Sequence, residues 1–426
     1  MLDRFFGLTA NGTTARTEIL CGVTIFFTMA YILFVNPQIL SASGMDKGAV
    51  FMATALSAAI TTLIMGLWAN LPVALAPGMG QNAYFAFTAV PLLAGDWRLA
   101  LGCVFIAGIL FVALSASPAR EALVNAIPPS QKRAIGVGIG FFLAMIGFQG
   151  AGMLAASPTT LVQPGNLADP KFLIAAFGLV VIAALWARGI KGAVLIGIGA
   201  ATALAITSGL QPLPDLSAPM PSIAPTLAQL HVSGGTFDTM AVIIGVFLFL
   251  NLLDASGTLT AVGQQAGLME NGRLRNGRKA LGTDAGGTVV GSVLGTSPVT
   301  AYIESAAGTG GKTGLVAVTV AVLFVLALFA APLAGAVPAY ATAPALVFVA
   351  VLFARDLRDI AWDDVTEALP ALVTALAIPL TFSIAEGIGL GFVTYAAGKL
   401  LTGRWREIGL GVTIISIAFI LKETVA

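Results

Sequence analysis

Apolar runs long enough to cross a bilayer recur from one end of this 426-residue chain to the other, and no other feature constrains its fold as much. Each covers about 16 to 23 residues, which is what a helix needs to span a hydrocarbon core of about 30 Å. In lipid the backbone must satisfy its own hydrogen bonds, so only helices and closed barrels can span. The sequence lacks the alternating segments, each of about ten residues, that a barrel requires, and an all-α polytopic membrane protein is expected. Composition agrees: 58% of the residues are hydrophobic and 10% charged, with a mean hydropathy of +0.95, outside the soluble globular range.

Spans are predicted at 19–40, 48–69, 77–94, 99–115, 134–153, 171–187 and 193–208, then at 237–256, 280–295, 299–308, 314–333, 338–354, 370–385 and 387–401. That makes about fourteen. A further apolar stretch, 408–421, fits a fifteenth span, an interfacial helix, or a partly re-entrant 370–401. The basic segment 1–16 followed by an apolar run loosely mimics a signal peptide, but the run is longer than the usual 7 to 15 residues, so it reads as a retained first helix. Lys and Arg cluster at 120–133, 188–191, 273–279, 355–358 and 399–406, all on one side of the membrane in this order of spans. Lys47, Arg98 and Lys171 are isolated exceptions, and the 211–235 loop, free of Lys and Arg, falls on the other side. The positive-inside rule then makes the N-terminus cytoplasmic.

The two halves echo each other. Leu33-Phe34-Val35-Asn36 matches Leu248-Phe249-Leu250-Asn251, and Asn82-Ala83-Tyr84 matches Thr300-Ala301-Tyr302, at offsets of about 215 and 218 residues. With about seven spans per half, an odd number, the repeats must be inverted: 1–208 and 237–426, joined by an extracytoplasmic linker at 209–236. Both halves are also broken at corresponding places, by Ala76-Pro77-Gly78-Met79-Gly80 and by Gly295-Thr296-Ser297-Pro298, each leading into an -Ala-Tyr-apolar- helix start. Paired interruptions of this kind point to a transporter's binding site, because unwound backbone is tolerated only where it lines a cavity.

Carboxylates inside spans cost about 2.5 to 3.5 kcal/mol at a helix centre and mark pathways for ions or substrates. Glu304 lies one to two turns into the second broken helix, Asp254 late in its span, and Asp284 near the start of 280–295. Asp284 also suits a solvated cap and Asp254 a cytoplasmic-end cap. Asn251, three residues before Asp254, shares its helix face, with Phe247 and Thr258 near the same stripe. Helix starts supply N–H donors, the carboxylates supply acceptors, and Tyr84, Phe85 and Tyr302 supply flat apolar surface. Such a set suits a small, planar, neutral heterocycle with ring donors and acceptors. Gly308-Thr309-Gly310-Gly311-Lys312-Thr313 imitates a phosphate loop, but Ala306 replaces its first glycine and no strand precedes it, so it reads as a tight turn. Cys21 and Cys103 fall in apolar spans and His231 stands alone, so neither a disulfide, a metal site nor a cofactor is expected. The same sparseness argues against an intramembrane enzyme.

The residues resemble the adenine/guanine/hypoxanthine permease branch of the nucleobase:cation symporters. The likeness is carried by Phe26-Phe27-Thr28-Met29-Ala30-Tyr31 with Val35-Asn36-Pro37, by Ala76–Gly80 with Asn82–Phe85, and by Gly295–Ser297 with Val299-Thr300 and Tyr302–Gly308. Gly311–Leu315 and Trp362-Asp363-Asp364 extend it. The resemblance implies fourteen helices in two inverted seven-helix repeats, with a core of about 17–116 and 237–334 and a gate of about 117–208 and 335–426. The third and tenth helices would be half-helices preceded by short strands. It further implies purine import between core and gate, by proton symport with an elevator-type or rocking movement, in the bacterial inner membrane. By that pattern Gly80, Asn82, Asn251 and Glu304 belong to the site; with Phe85, Thr300, Tyr302 and Ile303 from the two breaks they make up the expected substrate-binding set, and the acids within spans, Glu304, Asp254 and Asp284, the expected proton-coupling set. Such proteins usually carry two acidic residues on the eighth helix, where this chain has Asn251 and Asp254, and an amide at the first position cannot take up a proton. The expected partners are a purine nucleobase, protons, membrane lipid and, as an open alternative, a second copy of the chain; nucleic acid is not among them. The competing reading is an anion transporter or channel of the same overall fold, although no basic residue stands near either break.

Overall fold

A computed structural model describes residues 2–117, 127–215, 219–270, 273–308 and 310–425. Among these, nine helices are long and apolar enough to cross a membrane, from Ala15–Ser41 to Ile384–Leu401. Two shorter apolar helices, Ala193–Thr207 and Val365–Thr381, the more polar helix Gly277–Leu294 and the two interrupted segments bring the number to the expected fourteen. The 408–421 stretch forms one more helix, Leu410–Val425.

Two helices depart from the expected spans. The first is divided into Ala15–Met29 and Ile32–Ser41, with Ala30 and Tyr31 at the junction. The eighth runs unbroken from Phe237 to Gln265, past the predicted end at 256. It crosses the polar run Ser256-Gly257-Thr258-Leu259-Thr260 because hydroxyls return to the carbonyls a turn back, Ser256 Oγ to Leu252 O at 2.5 Å and Thr260 Oγ1 to Ser256 O at 2.7 Å. Asp254 therefore sits within a helix and not at its capped end.

The broken segments meet as a two-stranded antiparallel ladder, Leu75–Pro77 against Val299–Ala301, with Ala76 opposite Thr300. The ladder continues at both ends, through Gly78 N–H to Pro298 O at 2.9 Å and Tyr302 N–H to Ala74 O at 2.9 Å. Neighbouring hydroxyls supply what the ladder leaves unpaired: Thr62 Oγ1 accepts from Leu75 N–H at 2.9 Å and Thr288 Oγ1 donates to Val299 O at 3.1 Å. In this way unwound backbone is satisfied without water. Gly295 makes the second break possible, ending the helix Gly277–Leu294 at φ +93°.

The two strands lead into different structures. The first enters the α-helix Met79–Tyr84, which widens into a π turn over Phe85–Ala89. The second enters a single 3-10 turn, Ile303–Ala307, so Glu304 is the second residue of that turn and not one to two turns into an α-helix. The glycine-rich segment follows it. That segment is held by the buried carboxylate of Glu18, which accepts from Lys312 N–H at 2.9 Å, Thr313 N–H at 3.0 Å and the Thr313 hydroxyl at 2.6 Å. Backbone donors that a phosphate would need at Lys312 and Thr313 are thus used internally; Thr309, within the expected turn, lies outside the described residues.

The chain divides into two compact units, Met1–Ser117 with Ala168–Ala345, and Pro118–Leu167 with Leu346–Ala426. Both broken segments belong to the first. In the second, Gln131 Oε1 of the helix Pro129–Gly150 accepts from the Thr374 hydroxyl of Val365–Thr381 at 2.8 Å. The same unit contains a fully buried lysine, Lys399, paired with Glu367 at 2.9 Å and Glu407 at 2.8 Å. Arg404 joins Asp364 at 2.6 Å and Glu407 at 2.7 Å.

Candidate functional site

The site grows out of the strand ladder. Its crossing fixes the turn carrying Glu304 and the helix carrying Gly80, Gln81 and Asn82, while Phe237–Gln265 presents Phe247, Asn251 and Asp254 at helical spacing on one face. Two contacts set the register between these helices: Tyr84 packs edge-on against Phe247 at 4.9 Å, and Gln81 Nε2 donates to Asp254 Oδ2 at 3.0 Å. Asn251 lies between those two levels, fully buried.

Glu304 accepts from the Tyr31 hydroxyl through Oε1 at 2.7 Å. Asp254 accepts from Gln81 and, at 3.4 Å, from the Thr258 hydroxyl. The amides are the opposite case. Neither atom of the Asn251 side-chain amide finds a hydrogen-bond partner among the described residues, nor does Asn82 Nδ2, while Asn82 Oδ1 accepts from the Ser297 hydroxyl. An unpaired buried amide normally costs about 1 to 3 kcal/mol and calls for a ligand, a water or another conformation.

Other expected residues are engaged differently. Tyr302 donates its hydroxyl to Pro77 O at 2.6 Å and Phe85 is fully buried near Phe247, so both are packed into the fold around the ladder. Ile303 is 45% exposed. Thr300 gives its hydroxyl to Asp284 Oδ2 at 3.2 Å, and the same oxygen accepts Ala301 N–H at 2.7 Å. Asp284 is thereby tied to the second strand. We expect Asp284→Ala to lower the melting temperature of the purified protein, at a cost of about 2 kcal/mol for the orphaned strand donor; an unchanged melting curve would remove this strand-holding role.

Sequence reasoning missed Tyr31, Gln81 and Ser297 as site residues. Tyr31 stands within the motif that carried the family resemblance, but nothing about a tyrosine in an apolar run says where its hydroxyl goes. Among the described residues no group of three or more His, Cys, Asp or Glu is placed to hold a metal ion.

A polytopic helical bundle whose two broken segments cross as strands and carry buried polar side chains defines a membrane transporter of the permease class. The chain matches the family model described as Permease family over residues 16–390, and it belongs to that family. It is thus a transporter and not an enzyme. It is 44% identical over 425 residues to the adenine permease AdeP of Escherichia coli, covering 99% of this chain and 96% of that protein. Against the guanine/hypoxanthine permease PbuG of Bacillus subtilis it is 42% identical over 440 residues, 99% of this chain and 100% of PbuG. The transmembrane domain of the cyanobacterial bicarbonate transporter BicA shares the fold, with a TM-score of 0.68 at 18% identity over 88% of this chain and 97% of that domain.

Proposed function

We propose that this chain imports purine nucleobases, adenine, guanine or hypoxanthine, by proton symport, with an elevator-type or rocking movement of the core. The observation that carries the reading is a pair of buried amides with unmet hydrogen bonds, both atoms of Asn251 and the Nδ2 of Asn82, on the helices that carry Asp254 and its donor Gln81. Together they offer donors and acceptors matched to a purine edge, and the relatives named as adenine and guanine/hypoxanthine permeases support that ligand class. Glu304 accepts a ring N–H, Asn251 and Asn82 read the remaining edge, and Asp254 or Glu304 carries the proton. Gly80 lets the ligand approach the helix start, and Phe85, Thr300, Tyr302 and Ile303 shape its surroundings. We place the protein in the bacterial inner membrane with a cytoplasmic N-terminus, the core at about 17–116 and 237–334 and the gate at about 117–208 and 335–426.

The test is a thermal-shift screen of purines and pyrimidines on the purified protein, followed by uptake of radiolabelled bases into proteoliposomes. Purines are expected to stabilise selectively and uptake to saturate and follow the proton gradient. Stabilisation by no nucleobase would overturn the reading, and linear, unsaturable flux would favour a channel. Asn251→Asp replaces an amide donor with an acceptor and is expected to weaken binding about tenfold. Unchanged affinity would remove Asn251 from the contact set.

A further inference from the structure

Both carboxylates of the site are held from the other half of the sequence. Tyr31, 2% exposed and seated at the junction that divides the first span, reaches Glu304 across 273 residues of chain. Gln81, 3% exposed in the first turn after the Leu75–Pro77 strand, reaches Asp254 across 173 residues. In each pair the first repeat provides a neutral donor and the second an acid.

The Gln81 contact depends on a missing side chain. A Cβ on residue 78 would lie 2.2 Å from Gln81 Oε1 and 2.8 Å from Thr300 Cγ2, so only a glycine lets the amide lie back over the strand end and aim Nε2 at Asp254. The Gly78 N–H meanwhile extends the ladder to Pro298 O. One residue thus joins the position of Gln81 to the crossing of the two broken segments. Tyr31 is placed by a different device: its own backbone carbonyl accepts from Phe34 N–H at 3.0 Å and Val35 N–H at 3.0 Å, so the helix resumes immediately after it with its main chain fixed, and its ring is buried.

We infer that Tyr31 and Gln81 are positioning residues that fix Glu304 Oε1 and Asp254 Oδ2, leaving Glu304 Oε2 to the transported base or proton and Asp254 Oδ1 with only the long Thr258 contact at 3.4 Å, which a proton can displace. This rests on the purine-transport reading. Neither donor titrates in the working range of pH, so the acids keep the proton chemistry. A donor bond to a carboxylate is roughly twice as strong as one to a neutral acceptor, so protonating either acid loosens its hold. Proton occupancy is thereby linked to the junction at Ala30–Tyr31 through Glu304, and to the Gly78 strand end through Asp254.

Two measurements test this. In proteoliposomes, with radiolabelled adenine, guanine and hypoxanthine as probes, Tyr31→Phe and Gln81→Leu are each expected to raise KM about tenfold with the maximal rate per folded transporter kept within about twofold, and to move the pH midpoint of uptake by about half a unit or more. Unchanged KM and pH midpoint would overturn the inference, as would a loss that scales only with the amount of folded protein. Independently of transport, melting temperatures of Tyr31→Phe, Glu304→Gln and the double variant form a cycle, as do Gln81→Leu, Asp254→Asn and their double. Each cycle is expected to be non-additive, since either single change already removes the charge-assisted part of the bond and the double variant cannot lose it twice, and additive shifts would overturn the pairing. A wild-type protein that takes up none of the three bases would sink the transport reading while leaving the melting cycles to judge the pairing.

Discussion

Glu304→Gln is expected to lower purine uptake at sub-saturating concentration about 100-fold and to flatten its pH dependence, which a charge-assisted contact of about 3 kcal/mol would produce. Two losses combine. The amide cannot take up the proton, and its nitrogen presents a donor where a ring N–H needs an acceptor. Tyr31 can still donate to the amide oxygen, so the turn Ile303–Ala307 is expected to keep its place and the variant to fold. Uptake of radiolabelled bases across a pH series decides the matter: wild-type affinity with wild-type pH dependence would show that Glu304 is neither the ring acceptor nor a proton carrier.

Lys399→Met is expected to cost about 3 kcal/mol of stability, the low end for breaking a buried pair, since Glu367 would be left 16% exposed without its cation. The neighbouring acids make the same cluster sensitive to acid. Hydrogen bonds from Arg404 and then Lys399 hold the Glu407 carboxyl down at about 2, and bonds from Thr366 and then Arg404 hold Asp364 well below the usual carboxylate range. Because these groups bind protons more weakly folded than unfolded, their contribution is complete above the ordinary value of 4.5 and lost as pH falls toward 2. Melting curves are therefore expected to be level between about pH 5 and 8 with respect to this cluster and to decline below, less steeply in Lys399→Met. Equal melting temperatures for the variant and the wild type at neutral pH would show that the buried pair contributes nothing net.

The sequence by itself determined the class, most of the spans, the two breaks and the identity of the acids. Each follows from a local rule: a helix must be apolar for the whole thickness of the bilayer, Pro77 and Pro298 cannot continue one, and an acid in a span stands out by its cost. Where local polarity misled, the interaction that won was still local but invisible to composition, as when the hydroxyls of Ser256 and Thr260 carried the eighth helix past its expected end.

Only the tertiary structure decided the partners. A break announces that backbone groups lack helical bonds, yet nothing in Leu75–Pro77 names Val299–Ala301 as the strand that will satisfy them. The same holds for side chains. Glu304 and Asp254 were legible as costly acids, but Tyr31 and Gln81 became their donors, and Asp284 became the tie on the second strand, through separations in space that no spacing along the chain encodes. Hydrogen bonding depends on a few tenths of an ångström, between groups 273 and 173 residues apart for Tyr31 and Gln81, and for these two that distance exists only once the segments of both repeats have folded together.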